Sequence, residues 1–403
     1  MKIPARWWVV CIFYLSSAVN YLDRIMLTAL SPAFMKEFNL NLEQYGQIQS
    51  AFYLVYMIGS PLMGWFLDRA GLNVGTAIAL AWWSVAGVAR GLTQGLWGLI
   101  AAHSAVAVGE SAGIPSTAKA AQTYLKQEER AIGSSVSQVG LIIGSFFAAN
   151  LANYCIQHWG WRSAFFVSGV IGLLWIPVWF WASKKAPIQP TPKSQESVDV
   201  KEILRQKQTW GFISANVLSL GIFLLWTGWT NHYFIRTFHM EMAEANRLLP
   251  IPQFIGYAGS FLGGWASMRL IQRGWEPLSA RRRICLLGSF GMLTSALVPL
   301  AGTPTLAIAA ISLSYFASSA SSVNLYTMPL DAFGGNRAAF AVSLLTGGFG
   351  LLQFFVSPLI GRTVMQYGFG PICIAVGITP LLGYLILELT KARVTTPIYS
   401  ELR

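Results

Sequence analysis

Three ionisable residues lie inside long apolar stretches of the sequence. Asp23 and Arg24 are consecutive in the first stretch, and Glu110 lies near the middle of the fourth. Charged groups are costly inside a membrane, so each is a candidate functional group. Arginine keeps its charge, and its planar guanidinium matches a carboxylate through two hydrogen bonds. Arg24 is therefore a candidate binding residue for an organic anion, whereas Asp23 and Glu110 are candidates for carrying protons.

The spacing of these residues predicts how they face. Consecutive helical residues project about 100° apart, so Asp23 and Arg24 cannot both face one partner. One arrangement points Arg24 into a central cavity and Asp23 toward a neighbouring helix. The alternative is a static buried network of Asp23, Arg24 and Glu110 that only holds helices together. His103 precedes Glu110 by seven residues, which places both on one helical face.

The elements that position these residues are predicted to be membrane-spanning helices. The chain has 403 residues, of which 54% are hydrophobic and only 11% charged, fewer charges than soluble domains carry. A helix needs about 20 apolar residues to cross a bilayer. The sequence predicts an all-α membrane protein with twelve such segments, near 7–30, 45–67, 74–92, 96–117, 131–153, 163–183, 208–230, 246–268, 284–301, 304–328, 338–360 and 370–390.

The net charge of +12 does not indicate a nucleic-acid partner, because the basic residues follow the membrane topology. With the N-terminus inside, 21 of the 28 Lys and Arg fall in cytoplasmic segments and one, Arg24, lies within the membrane. The other six fall outside or at outer ends: Lys36, Arg90, Arg162, Arg236, Arg247 and Arg362. This positive-inside bias predicts a multi-pass protein of a bacterial-type inner membrane with both termini cytoplasmic.

The polar, charged segment 184–207 predicts a cytoplasmic linker between an N-terminal half, 1–183, and a C-terminal half, 208–403. The two halves share a pattern, since Gly64, Trp65 and Arg69 recur 200 residues later as Gly264, Trp265 and Arg269. The repeat favours a duplicated six-helix unit. In that arrangement the substrate site lies near the bilayer midplane between the halves.

Other classes of protein lack the sequence features they would need. The four cysteines are single, without the paired spacing of a metal site or a disulfide framework. No H-E-x-x-H motif and no paired Cys/His spacing appears, so neither an enzyme nor a bound metal is predicted. A nutrient sensor would need an added signalling domain, for which neither terminus is long enough.

The segment 64–71 reads G-W-F-L-D-R-A-G. It resembles the G-x-x-x-D-R-x-G motif between helices two and three of the major facilitator superfamily, although Leu72 and Asn73 replace the basic residues that often follow. Asp68 and Arg69 are therefore expected to form a gating loop that holds one conformation shut. The alternative is a solvated loop ion pair of little energetic value.

Three further runs narrow the resemblance. Asn20-Tyr21-Leu22-Asp23-Arg24, the stretch 109–115 (G-E-S-A-G-I-P) and Glu129-Arg130-Ala131 resemble motifs of the anion:cation symporter family of the superfamily. The runs 333–337 and 345–348 resemble its hexuronate branch. The resemblance implies that Arg24 contacts a substrate carboxylate and that Asp23 and Glu110 take part in proton coupling.

His103 departs from the family pattern, because relatives place an arginine at this position. A histidine titrates near neutral pH and carries no permanent charge. His103 is therefore a pH-sensitive substitute for that arginine, or the substrate or coupling differs, or His103 is a hydrogen-bonded core residue without a transport role. The remaining candidates for substrate binding are Tyr21, Tyr53, Tyr56, Gln138, Asn231 and Thr346. For Tyr53, Gln138 and Asn231, helix packing is an equal alternative.

The sequence thus predicts a monomeric, proton-coupled symporter that imports a sugar acid, such as the hexuronates galacturonate and glucuronate, by alternating access in a lipid bilayer. The proton gradient is the expected energy source, and no cofactor is expected. The alternative is a transporter of another organic anion (an aldonate, a dicarboxylate or an aromatic acid) with or without proton coupling.

Overall fold

The computed structural model describes residues 4–125, 130–186, 200–333 and 335–391, which form eighteen α-helices. They are α1 (Ala5–Glu37), α2 (Leu42–Ala70), α3 (Leu72–Gly91), α4 (Leu96–Glu110), α5 (Gly113–Tyr124), α6 (Arg130–Trp159), α7 (Trp161–Ser183), α8 (Val200–Arg205), α9 (Lys207–Ser219), α10 (Gly221–Gly228), α11 (Thr230–Phe238), α12 (Met242–Leu248), α13 (Pro250–Gln272), α14 (Pro277–Met292), α15 (Thr294–Leu297), α16 (Pro304–Phe333), α17 (Gly335–Tyr367) and α18 (Gly370–Leu389). No strand occurs within these ranges.

Ten helical segments of the described residues are both long and apolar enough to cross a membrane. Two of them combine neighbouring helices, α9 with α10 and α14 with α15. The two other predicted spans are helical as well. The span near 96–117 is divided between α4 and α5, and the span near 246–268 is α13, a helix of 23 residues. The all-α class with twelve spans is confirmed.

The break in the fourth span falls directly after Glu110. Pro115 has no amide hydrogen, so the carbonyl of Ser111 cannot receive its usual helical bond. Ser111 and Ala112 form a turn, and α5 resumes at Gly113. The break makes Glu110 the last residue of α4 and leaves it deep in the bundle, where it is fully buried.

Short turns with left-handed residues reverse the chain between spans. Asn39, with a φ of 51°, follows α1, and Gly71 and Gly160, with φ of 77° and 83°, precede α3 and α7. Asn41 caps α2, because its side chain accepts from the Gln44 amide while the Gln44 side chain accepts from the Asn41 amide. Such turns need few residues, which fits neighbouring antiparallel helices.

We refer to α1–α7, in the predicted N-terminal half, as the first helix set and to α9–α18, in the predicted C-terminal half, as the second. Contacts between the sets run mainly through α2 with α17 and α6 with α13, and through α1 with α10 and α11. We call the end of the bundle that holds Pro4, Ser183 and α8 the linker face, and the end with the α1–α2 turn the far face. The predicted division at 184–207 stays a prediction, because 187–199 lie outside the described residues.

Candidate functional site

Arg24 of α1 forms an ion pair with Glu110 at the end of α4. Its Nη2 lies 2.8 Å and its Nε 3.2 Å from the same carboxylate oxygen, Oε2. Glu110 is fully buried, whereas 16% of the Arg24 side chain remains exposed. The other oxygen, Oε1, is buried and has no hydrogen-bond partner. Arg24 is thus a cation that is paired with a buried carboxylate and that keeps a part of its surface open.

Aromatic rings surround the guanidinium. The Arg24 Cζ lies 5.5 Å, 5.2 Å and 5.1 Å from the ring centroids of Tyr21, Phe52 and Tyr56. Stacked cations of this kind gain from the ring quadrupoles, and they gain more when water is excluded. Tyr21 is in electrostatic range of Tyr257 and Tyr315, which belong to α13 and α16. The Arg24 site therefore borders the second helix set.

Asp23 faces away from this site, as the angular spacing predicts. Its Oδ1 accepts from Arg90 Nη2 at 3.0 Å and from Ser168 Oγ at 2.8 Å. Arg90 Nη1 also donates to the main-chain oxygen of Asp23 at 3.1 Å, and its guanidinium lies 4.5 Å from the Phe165 ring centroid. Both side chains of the pair are 0% exposed. Asp23 and Arg24 thus have different ion-pair partners, and the alternative that these charges only hold helices together stays a prediction.

Arg90 is a buried charged residue that the sequence analysis did not include among the site candidates. It lies next to the far end of α3, where it was expected, but its side chain turns inward and is fully buried. Arg90, like Arg24, is therefore an arginine within a candidate membrane span whose side chain points into the protein. A signal was available, since Gly87 and Gly91 flank Arg90 and small residues allow helices to approach closely.

His103 is buried at 2% exposure and stacks on Phe52, with ring centroids 4.5 Å apart and an interplanar angle of 25°. Its Nδ1 is buried without a hydrogen-bond partner. Phe52 also contacts Arg24, so this ring links the histidine to the site. His103 takes a packing position beside the guanidinium, and the expected hydrogen bonding of a core histidine is not made by Nδ1.

The other predicted binding residues have different surroundings. Tyr53 is almost buried and packs on Phe349 of α17, and Thr346 is half-buried and donates to Val342 O. Asn231 is fully buried, donates to Thr28 O at 2.6 Å and accepts from the His232 amide. These bonds are those of the packing alternative for Asn231, and its predicted binding role stays a prediction. The side chain of Gln138 lies outside the described residues.

The predicted gating segment lies at the linker end of α2. Arg69 is exposed and stacks on Trp65, 4.1 Å from the ring centroid. Arg269 and Trp265 repeat this contact at 5.3 Å in α13. Lys119 of α5 donates to the Leu67 carbonyl at 2.7 Å, a contact that the sequence analysis did not predict. The side chain of Asp68 lies outside the described residues, so the ion pair stays a prediction.

A group of hydrogen bonds joins the two helix sets between the middle of the bundle and the far face. Each of the following donors reaches a backbone oxygen of the other set: Asn231 to Thr28, Asn246 to Ala29, Asn153 to Ala243, Tyr45 to Gly228 and Ser50 to Phe354. Ser31 also bonds His232 at 2.9 Å, and Arg362 pairs with Glu43 at 2.5 Å. These contacts close the bundle at the far face.

Metal chemistry has no ready site here. Within the described ranges, no group of three or more His, Cys, Asp and Glu side chains is placed to hold a metal ion. A pocket of about 330 Å³ lies at the far face, and Pro32, Asn41, His232 and Arg236 are among its lining residues. His232 thus belongs both to this pocket and to the far-face contacts, whereas Arg24 does not line the pocket.

Comparison with known families decides what kind of protein this is. The model of the Major Facilitator Superfamily matches residues 13–278, about two thirds of the chain. The chain belongs to the major facilitator superfamily. This superfamily member is a multi-pass membrane transporter and not an enzyme, as the sequence predicts.

Individual relatives of this superfamily member agree with the predicted branch. It is 27% identical to the hexuronate transporter of Escherichia coli K12, over 95% of this chain and 93% of that one. It is 24% identical to the galacturonate transporter of Dickeya chrysanthemi, over 75% and 94% of the two chains. The fold matches a solved bacterial homologue of the human lysosomal transporter Spinster with a TM-score of 0.72 at 17% identity, covering 97% and 96%.

Proposed function

We propose that this transporter carries a sugar-acid anion, most specifically a hexuronate such as galacturonate or glucuronate, together with protons. The observation that carries the proposal is the Arg24 site: a partly exposed guanidinium, ringed by aromatic side chains and held by one buried carboxylate. A carboxylate ligand is the natural replacement for Glu110 on this guanidinium. Tyrosine rings beside it suit the apolar face and the hydroxyls of a sugar ring.

The arrangement suggests how proton and substrate are linked. While Glu110 is ionised it occupies Arg24 and competes with the substrate carboxylate. Protonation of Glu110 removes its charge, weakens the bond to Arg24 and frees the guanidinium for the anion. The loaded site is then better neutralised, which favours movement of the two helix sets about it. Asp23 is the second carboxyl group that the family resemblance implicates.

The orientation completes the proposal. Positive-inside bias favours a cytoplasmic linker face, with both termini in the cytoplasm of a bacterial-type inner membrane. In that orientation the far-face contacts, such as Asn231 to Thr28 O and Arg362 to Glu43, shut the site from the outside. An outward-open state must break them. We further propose that the protein works as a monomer, with the proton gradient as its energy source and no cofactor.

Uptake into proteoliposomes tests the proposal. Labelled galacturonate is expected to accumulate when the lumen is more alkaline than the bath, and not when the gradient is reversed. Arg24→Gln is expected to abolish uptake, whereas Arg162→Gln, which removes a solvent-exposed arginine, serves as the matched control. Uptake that ignores the direction of the gradient would show a facilitator, and absence of uptake in both directions would reject hexuronates as substrates.

A second candidate substrate is an aldonate, since a D-galactonate transporter of Escherichia coli O6:H1 is 25% identical over 94% of each chain. An aldonate presents the same carboxylate to Arg24 but an open chain to the tyrosines. Thermal shift of the purified protein separates the two, because a ligand that binds only the native state raises its apparent stability. Dicarboxylates and aromatic acids belong in the same panel.

A further inference from the structure

We infer that the far-face pocket is a second anion site, at which a small hydroxy acid binds Arg236 and His232 and keeps the far face closed. This site is separate from the Arg24 site and inhibits transport from outside. The inference rests on the proposed function in two respects, because the physiological ligand is taken to be the proposed substrate and the far face is taken to be the outer one.

The pocket is formed by residues from both sides of the bundle. Met35 of α1 and Asn41 before α2 line it from the first helix set, and His232, Arg236 and Met365 line it from the second. Its volume of about 330 Å³ falls in the range of small-molecule pockets, roughly 300–1,000 Å³. Because both helix sets contribute to the lining, the pocket has this form only while the far face is closed.

Arg236 brings a positive charge to the pocket. Two other exposed arginines at the far face have carboxylate partners, since Arg162 pairs with Glu37 and Arg362 with Glu43. Arg236 is also exposed, but it makes no ion pair with any residue in the described part of the chain. Its planar guanidinium is therefore available to a carboxylate, which it can bind through two hydrogen bonds.

His232 lies beside this charge and is held in one tautomer. It precedes Arg236 by four residues in α11, so the two side chains share one face of the helix. Its Nε2 lies 2.9 Å from Ser31 Oγ. Ser31 donates its one hydroxyl hydrogen to the Thr28 carbonyl oxygen at 2.6 Å, so Nε2 is the donor to Ser31 and carries the proton.

The other ring nitrogen of His232, Nδ1, is available to a ligand. Burial and the nearby Arg236 charge lower the pKa of His232 to about 3, so at neutral pH the imidazole is neutral and Nδ1 is an acceptor. The residue is only 5% exposed, yet no described residue donates to Nδ1. Tyr45 and Trp229 fix the ring, with centroids at 4.8 Å and 6.0 Å. A ligand hydroxyl can donate to Nδ1 while the ligand carboxylate accepts from Arg236.

A ligand in this pocket favours the closed far face. His232 bonds Ser31 of α1, and the neighbouring Asn231 donates to Thr28 O at 2.6 Å. These bonds and the pocket belong to the same contact between the helix sets, so opening the far face disrupts both. A ligand that binds one conformation better than another shifts the population toward that conformation. Hydroxy acid at the pocket is therefore expected to slow outward opening and to inhibit uptake.

Protection of an introduced thiol in the pocket measures binding without transport. In the purified Cys11→Ser/Met365→Cys protein, galacturonate at about ten times its dissociation constant is expected to slow the reaction with a polar maleimide by about 10-fold. Arg24→Gln, added to these changes, removes the central site and is expected to leave the protection intact. Galactose lacks the carboxylate and acetate lacks the hydroxyls, so both are expected to protect less well.

Removal of the Arg236 charge is the decisive change. Arg236→Gln is expected to raise the galacturonate concentration for half protection by about 10-fold or more, because a charge-assisted hydrogen bond is lost. Arg247→Gln, at an exposed position of α12 that does not line the pocket, is the matched control. Protection that survives Arg236→Gln, or that is lost with Arg24→Gln, would overturn the inference. If the Met365→Cys protein does not fold, Leu40→Cys reports from the opposite wall.

Uptake into proteoliposomes tests the inhibition. Uptake by the wild type is expected to pass through a maximum and then decline as external galacturonate rises. The decline is expected to disappear in Arg236→Gln and to remain in Arg247→Gln. A steady plateau in the wild type, or a decline that Arg236→Gln retains, would overturn the inhibitory role. If the wild type does not carry galacturonate, the proposed substrate fails, and the thiol experiment still decides whether the pocket binds a hydroxy acid.

Discussion

Two ion pairs start from adjacent residues of one helix and differ in nearly every physical respect. The Asp23–Arg90 pair is fully buried and has a serine as a third partner, whereas the Arg24–Glu110 pair keeps part of its guanidinium exposed among aromatic rings. A sealed pair is suited to fixing geometry, and an open pair is suited to exchanging partners. Charged residues inside a membrane protein can therefore be suited to different tasks.

The largest expected effect comes from taking one charge out of the sealed pair. Arg90→Leu leaves Asp23 buried without a cation, which is expected to cost about 3–5 kcal/mol of the free energy of unfolding. Arg24→Leu removes a guanidinium that is 16% exposed, so it is expected to destabilise the fold less than Arg90→Leu while abolishing substrate binding. Thermal unfolding in detergent compares the two variants. Equal destabilisation would erase the distinction between the pairs.

A milder change tests the open pair by geometry. Arg24→Lys keeps the charge but loses the forked guanidinium and its stacking on Phe52 and Tyr56, so affinity for galacturonate is expected to fall about 100-fold. Titration calorimetry on the purified protein measures it. Arg162→Lys, at a solvent-exposed site, provides the matched control. Near-normal affinity of Arg24→Lys would remove Arg24 as the carboxylate anchor.

A packing variant moves both pairs together. Gly144 of α6 lies against α1, and a Cβ there would overlap the Ala18 carbonyl oxygen. Gly144→Val is therefore expected to push α1 aside and cost about 1–3 kcal/mol of stability, with weaker substrate binding as well. Gly64→Ala, at a position with open space, is the control. If Gly144→Val binds substrate normally, the site does not depend on the exact seat of α1.

The smallest expected effect concerns His103. His103→Phe keeps the stacking on Phe52 and removes the titratable ring. Because His103 stacks on Phe52 and its Nδ1 makes no hydrogen bond, transport is expected to stay within about 3-fold of the wild type, with the same pH profile. The pH profile is measured as initial uptake rates from about pH 5.5 to about pH 8, the range in which histidine ordinarily titrates. A shifted profile would give His103 a titrating role.

The positions of the membrane spans were predictable from the sequence. The contact partners of single side chains were predictable only in part. Apolar runs of sufficient length specify the spans, because lipid requires every backbone group to be bonded internally. The different directions of the Asp23 and Arg24 side chains follow from helical geometry, and the structure shows them. The role of Asn231 was not accessible in the same way, since a buried amide can serve substrate or a neighbouring backbone, and the choice depends on how α11 packs on α1.

Arg90 shows the limit most clearly. From sequence it is an arginine two residues from the end of an apolar run, which is the position of a residue that reaches water. Its inward turn depends on an acidic partner 67 residues away and on glycines that let α1, α3 and α7 converge. Contacts between residues so far apart in sequence are determined by tertiary packing. A single amino-acid sequence does not reveal them directly.

Most of the hydrogen bonds that close the far face join a side-chain donor to a backbone acceptor. In the contacts from Asn231, Asn246, Asn153, Tyr45 and Ser50, the acceptor is a peptide oxygen, which every amino acid supplies. Only the donor of each contact therefore depends on which side chain is present. Substitutions at these acceptor positions leave the bond available, so mutations act on the five contacts through their donors, whereas the Ser31–His232 and Arg362–Glu43 contacts at the far face depend on both side chains.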